Sequence, residues 1–362
     1  HDPLNEVPRD EYETYRAATD DKTARVYAMV ANIDANVGRL MRKLDELDLS
    51  RDTIIVFLTD NGPAVPRFNA GMRGQKGTVY DGGVRVPYFI KWPGGLGAAS
   101  GAQVDRVAAH IDLTPTLLEA CGVPAPAGAK FDGKSLLPLL RGDVTSEDWP
   151  DRTLYFQWHR GDVPQLYRAF AARSQYWKLV QAQGAGPRPF GEPQFELYNM
   201  HADPTESKDR SRDHPQIVQA MKRGYEQWFA DVTGTRGFDD PPRIVMGAEK
   251  ENPVLLTRQD WRGPDAGWGP NDIGHWDLEV ATAGGFAVTV HVPQALVGTV
   301  RSIRLDFGKT GLTETVKADQ ASVTFRPIHI PAGKTELKAS VDTTGGKKGP
   351  RFVEVRLTGA VN

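Results

Sequence analysis

The feature that most limits how this chain can fold is a change of hydrophobic period near residue 249. Before that point, helical spacings alternate with short continuous apolar runs; after it, only strand signals remain. A pattern with a helical period does not settle as a strand, so two kinds of architecture must meet here. The Pro/Gly-rich stretch 233–248 is the expected linker. A length of 362 residues, more than one hydrophobic core usually holds, points the same way.

In the first part, Val26, Met29, Val30, Ile33, Val37, Leu40, Met41, Leu44 and Leu47 recur at steps of one, three and four, which predicts an amphipathic helix over 23–47 capped by Asp20 or Asp21. The run Thr53-Ile-Ile-Val-Phe-Leu-Thr59 is too short for a helix and rich in β-branched residues, as a parallel strand buried on both faces would be. A second run covers 84–92, and a short helix with a glycine stop covers 112–122. Strands at 154–158, 167–172 and 177–181 then precede a helix from Pro215 to about Val232. The expected fold class is α/β: a partial parallel-sheet core over 1–145, a small α+β subdomain over 146–240 and a β-sandwich over 241–362.

Charge excludes some functions. Forty-four basic against 46 acidic residues leave a net charge of −2, which gives no global attraction to nucleic acid or an anionic membrane. No apolar stretch is long enough to span a bilayer. One cysteine, Cys121, rules out a disulfide framework or a cysteine-based zinc cluster within these residues; a small buried packing role is expected for it.

The candidate chemistry clusters downstream of the first strand. Asp60 and Asn61 follow that strand directly, where ligands of open α/β sheets bind, and both offer hard oxygens suited to calcium or magnesium. The same Asp-Asn-Gly tripeptide is also ordinary turn chemistry. The segment from Gly71 to Pro87 holds five glycines around Lys76, a frame that lets backbone approach a ligand and a lysine reach a tetrahedral oxyanion; a solvated loop lysine is the plain alternative. Trp158-His159-Arg160, at a strand end, makes His159 a candidate for a substrate pocket. Trp261, Trp268 and Trp276 would suit a sugar platform but are expected in the sandwich core.

These residues resemble a family. Asp60-Asn61-Gly62, the segment from Gly74 to Pro87, Trp92-Pro-Gly94, Asp112-Leu-Thr-Pro-Thr-Leu-Leu118, Asp132 to Gly142, Tyr176-Trp-Lys-Leu-Val180 and Glu196 to Pro204 resemble the second half of an arylsulfatase-like sulfatase of the alkaline phosphatase superfamily. The likeness covers roughly residues 1–232 and implies an alkaline-phosphatase-like core. It implies that Asp60 and Asn61 are calcium ligands, that Lys76 contacts the sulfate and its leaving oxygen, and that His1, in His1-Asp-Pro-Leu4, touches the ester and assists proton transfer. It further implies a periplasmic or secreted setting and a sulfated small molecule or carbohydrate as partner. Asp81 stands where the family more often has glutamate, a change expected to matter little for reaction class.

Family members act through a formylglycine made in a CxPSR-type motif, and none occurs here; Cys121 lies in Glu-Ala-Cys-Gly-Val-Pro. The expectation is therefore sulfate-ester hydrolysis in an intact protein whose upstream half supplies the nucleophile and further calcium ligands. This chain alone would be inactive and poorly stable. The alternatives are a phosphonate or phosphate monoester hydrolase of the same superfamily and a non-catalytic carbohydrate-binding remnant.

Overall fold

The computed structural model describes residues 7–96, 101–159, 161, 163–185, 191–235, 237–317 and 319–360. They fall in two compact units, residues 1–239 and 240–362. The class is α/β in the first unit and all-β in the second.

The first unit opens with helices α1 (Arg9–Arg16) and α2 (Asp21–Glu46). Asp20 caps α2 as predicted, its carboxylate accepting the Thr23 N–H at 3.1 Å, an arrangement worth about 1 kcal/mol. The apolar stripe of α2 is another matter. Only Ala24 and Ala28 are buried, while Val30, Ile33 and Leu40 are 57%, 50% and 57% exposed.

Strand β1 (Ile55–Leu58) follows, then the one-turn helix α3 (Asp81–Val84) and strand β2 (Tyr88–Lys91). The pairing is antiparallel, with Phe57 opposite Phe89, in place of the parallel pairing expected of β1. Nor is β1 buried on both faces, since Phe57 is exposed and its neighbours are half-buried. Continuous apolarity reports that both faces of a strand suit cover; it does not report the direction of the neighbouring strand. Short helices α4 (Pro93–Leu96), α5 (Leu113–Ala120) and α6 (Leu137–Arg141) complete this part. Cys121 is exposed, correcting its expected burial: it occupies the C-cap of α5, where the helix turns out to solvent.

A four-stranded antiparallel sheet comes next, β3 (Leu154–Gln157), β4 (Phe170–Arg173), β5 (Trp177–Gln181) and β6 (Glu196–Asn199), with helix α7 (Pro215–Thr233) against one face. The two-residue period divides its side chains cleanly. Phe170, Leu179 and Leu197 meet Val218, Met221 and Tyr225 of α7, with the Phe170 and Tyr225 rings stacked at 3.8 Å. Their neighbours Ala171, Val180 and Tyr198 point the other way and pack on Val79 and Tyr80. This second contact seats the glycine-rich segment on the sheet.

The second unit is built from β7 (Ile244–Met246), β8 (Val254–Thr257), β9 (His275–Val280), β10 (Gly284–His291), β11 (Val300–Phe307), β12 (Thr310–Thr315), β13 (Ser322–Ile330), β14 (Gly333–Thr343), β15 (Gly346–Lys348) and β16 (Phe352–Ala360). A four-stranded sheet, β13-β10-β16-β8, and a six-stranded sheet, β12-β11-β14-β9-β7 with β15 on β14, share one core. Phe286 of one meets Phe307 of the other at 6.3 Å, so the two sheets form a β-sandwich. Trp276 and Trp261 are core, as expected, at 0% and 7% exposure; Trp268 is not, at 59%. It sits in a Gly-Trp-Gly loop apex, where nothing follows the strand period. No helix among the described residues is long and apolar enough to cross a membrane.

Candidate active site

The candidate residues converge because two loops are fastened by their backbones. β1 ends at Leu58 and runs into Thr59-Asp60-Asn61-Gly62. The Gly62 N–H donates to the Gly83 carbonyl at 3.0 Å, and the Lys76 N–H donates to the Pro63 carbonyl at 3.0 Å. The turn that carries Asp60 and Asn61 is thereby tied to the loop that carries Lys76. The approach leaves no room for a side chain: a Cβ on Gly62 would stand 1.8 Å from the Gly82 carbonyl oxygen. Gly77, at φ +82°, lies under the Trp158 ring, whose nearest atom would be 3.5 Å from a Cβ placed there. Trp158 extends β3 by donating its N–H to Ala169 O at 2.9 Å, which sets His159 just beyond this contact.

Asp60 and Lys76 are exposed; Asn61 and His159 are half-buried. Among the described residues, no hydrogen bond or ion pair commits the side chains of Asp60, Asn61 or Lys76. His1 lies outside the described residues.

Beneath the loops is a buried ionic cluster. The fully buried Lys178 ammonium is 2.7 Å from Asp81 Oδ1 and 2.8 Å from Glu206 Oε1. The other Glu206 oxygen accepts the Asp81 N–H at 2.7 Å. Burial raises the Glu206 carboxyl above its ordinary range, against the pull of Lys178 and the Asp81 N–H. Arg73 reaches across the same corner, donating to Tyr198 Oη at 2.6 Å and Glu206 O at 3.0 Å while its guanidinium lies 3.9 Å over the Tyr80 ring. Asp81 thus anchors the loop from below. Arg73, Lys178 and Glu206 escaped sequence reasoning, although a lysine inside the apolar run Trp177-Lys-Leu-Val180 was the available signal.

A second buried pair steadies the segment around α5. Arg152 donates to Asp112 Oδ1 at 2.7 Å, and Asp112 also accepts the Ala109 and Lys134 N–H groups at 2.9 Å each. Burial would raise the Asp112 carboxyl, but Arg152 and these two N–H groups outweigh it and hold it below the usual carboxylate range.

Two adjacent, uncommitted oxygen donors at Asp60 and Asn61 fit a hard divalent cation as part of its shell; calcium takes about six to eight oxygens, so other groups must complete it. Among the described residues the one cluster of three histidine or carboxylate groups is His275, Asp277 and Glu336, in the sandwich. There Arg243 and Arg262 stand 3.6 and 3.7 Å from Asp277, which makes that cluster an ion-pair network.

The family model for sulfatases matches residues 1–123, and that for the C-terminal part of N-sulphoglucosamine sulphohydrolase matches residues 74–229. Human (Homo sapiens) arylsulfatase A is 37% identical over 215 residues, covering 53% of this chain and 40% of the relative. An N-acetylgalactosamine-6-O-sulfatase of Bacteroides thetaiotaomicron is 26% identical over 213 residues, covering 53% of this chain and 39% of the relative. The chain therefore spans about two-fifths of the length of these relatives. The solved structure of Ps i-CgsB in complex with k-i-k-neocarrahexaose shares the fold, with a TM-score of 0.54 at 24% identity over 66% of this chain and 50% of that one. The two family models together match residues 1–229 and overlap at 74–123, where the Lys76 loop lies; the chain belongs to the sulfatase family.

Proposed function

We propose that the first unit is part of a sulfuric ester hydrolase of the arylsulfatase type, in which Asp60, Asn61 and Lys76 act on a sulfate ester. The observation that carries this reading is the backbone lacing of the Asp60-Asn61 turn to the Lys76 loop, with all three side chains uncommitted. Calcium, held by Asp60 and Asn61 with ligands from outside these 362 residues, would polarise the sulfate oxygens as a Lewis acid. Lys76 places its ammonium at the sulfate and at the alcohol or phenol oxygen as it departs, balancing the charge that develops there. His1 delivers a proton to that oxygen, and His159 lines the substrate pocket.

The nucleophile is the formylglycine of a CxPSR-type motif, which this sequence does not contain, so these 362 residues alone release no sulfate. The substrate class is a sulfated small molecule or carbohydrate, in keeping with the names of the relatives.

The decisive measurement uses the protein that carries both halves of the site. Lys76→Ala there should lower turnover of an aryl sulfate by about 10²-fold or more, the usual loss when one charge-stabilising donor is removed. Full activity of that variant would sink the assignment. A preference for an aryl phosphonate or phosphate would move the protein to the neighbouring hydrolase class, and tight binding of a sulfated sugar without turnover would make it a binding protein.

A further inference from the structure

Lys76 lies inside a segment, Arg73 to Asp81, that one buried residue grips at both ends. At the near end, the Arg73 guanidinium donates to the Glu206 main-chain carbonyl at 3.0 Å. At the far end, the Asp81 N–H donates to Glu206 Oε2 at 2.7 Å. The span between these grips is also closed on itself. The Gly82 N–H donates to the Arg73 carbonyl at 2.7 Å, and Thr78 Oγ1 donates to the Gln75 carbonyl at 2.8 Å while accepting the Gln75 N–H at 3.1 Å. Lys76 is thus carried on a closed loop whose two feet meet at Glu206.

Glu206 is itself held in an unusual state. Its φ of +54° lies in the left-handed region, which a residue with a side chain enters only at a cost that its surroundings must offset. Asp203 braces the turn, its carboxylate accepting the Ser207 and Lys208 N–H groups at 2.8 Å each. The Glu206 carboxylate is fully buried, and the equally buried Lys178 ammonium supplies its countercharge at 2.8 Å. The same ammonium holds Asp81 at 2.7 Å, so Lys178 and Glu206 close a ring of contacts around Asp81.

Burying three charged groups is costly, and apolar cover alone can hold a loop to a sheet. That cover is already present, because Val79 and Tyr80 pack on Ala171, Val180 and Tyr198. Apolar packing is non-directional and tolerates sliding, whereas hydrogen bonds and ion pairs to particular atoms fix both direction and distance. The charges therefore add placement rather than adhesion. What they place is the stretch between Arg73 and Asp81, and Lys76 is the residue there whose side chain no bond commits among the described residues.

We propose that Glu206 is a positioning residue for Lys76, with Lys178 as its countercharge, and that the two together set where the Lys76 ammonium meets the sulfate ester. This role rests on the reading of Lys76 given above.

The test uses the protein that carries both halves of the site. An amide offers one acceptor oxygen where a carboxylate offers two, so Glu206→Gln keeps the volume and gives up either the Asp81 N–H or the Lys178 contact. It should lower kcat for an aryl sulfate about 10- to 100-fold with KM nearly unchanged, as misplacement of a charge-stabilising group does. It should also speed amide exchange across residues 73–83 and leave α7 as it was. Lys178→Met should act in the same direction. Asp112→Asn breaks another buried ion pair of this unit and controls for lost stability. Assayed well below its melting temperature, it should change neither kcat nor the exchange of residues 73–83. Unchanged kcat or unchanged exchange in Glu206→Gln overturns the proposal, and so does an equal loss of kcat in Asp112→Asn. Fast exchange of the Asp81 and Gly82 amides in the unaltered protein overturns it whether or not the variants fold. Lys76→Ala, run alongside, separates the two claims: its full activity removes the sulfatase reading, whereas an impaired Lys76→Ala beside a fully active Glu206→Gln removes the positioning role alone.

Discussion

The sandwich and the helix α2 handle apolar side chains in opposite ways. In the sandwich, Trp276, Phe286, Phe307 and Leu337 are fully buried between two sheets. On α2, Val30, Ile33 and Leu40 lie half or more exposed although their spacing is that of a core-facing helix. Phe57 and Phe89, opposite each other on β1 and β2, are likewise uncovered. One region closes its hydrophobic surface with its own strands; the other presents a face prepared for packing. Hydrophobic period reports which residues suit burial, and the partner's presence is a separate fact.

That contrast can be broken by mutation. Trp276→Ala should give the largest effect, a loss of about 3–5 kcal/mol in urea unfolding of the sandwich. A loss below 1 kcal/mol would mean the core is looser than its burial indicates.

An intermediate effect is expected from acid in the first unit. The Asp112 carboxyl is held below its ordinary pKa, so its bond to Arg152 contributes stability above the usual carboxylate range. That contribution is lost as pH falls through the lowered value. Glu206 has the opposite sign: its raised carboxyl favours the folded unit at low pH, and that stability is lost as pH rises through the raised value. A pH series of unfolding, repeated on Asp112→Asn, should show the acid-side slope reduced in the variant. An unchanged slope would remove Asp112 from the account.

The smallest change should come from Leu40→Ser, within about 0.5 kcal/mol, as for a surface substitution. A larger loss would show that the α2 stripe is covered in solution and would close the gap between the two regions.

Much of this was legible in sequence where a pattern is repeated. The helix expected from Pro215 to about Val232 forms as α7, and the structure adds that its Val218, Met221 and Tyr225 pack on the sheet. The Asp60-Asn61 turn and the Lys76 loop were legible through motif and position, and their backbone lacing is the physical link between them. Strand β12, Thr310–Thr315, was not legible, because its outer-strand residues are mostly exposed and carry no apolar alternation. The pair of Asp112 with Arg152 joins residues 40 apart, and the cluster of Asp81, Lys178 and Glu206 draws on three separate segments. Charges far apart in sequence leave no periodic trace, so only folding reveals their partners.

The main-chain bond between Lys76 and Pro63 has a practical consequence. Because the mount is a peptide N–H, it is indifferent to what side chain is attached. Position 76 therefore works as an interchangeable socket: arginine, glutamine or a shortened amine placed there starts from the same Cα. A series of such replacements separates the reach of the group from its charge, two properties that a single alanine would confound.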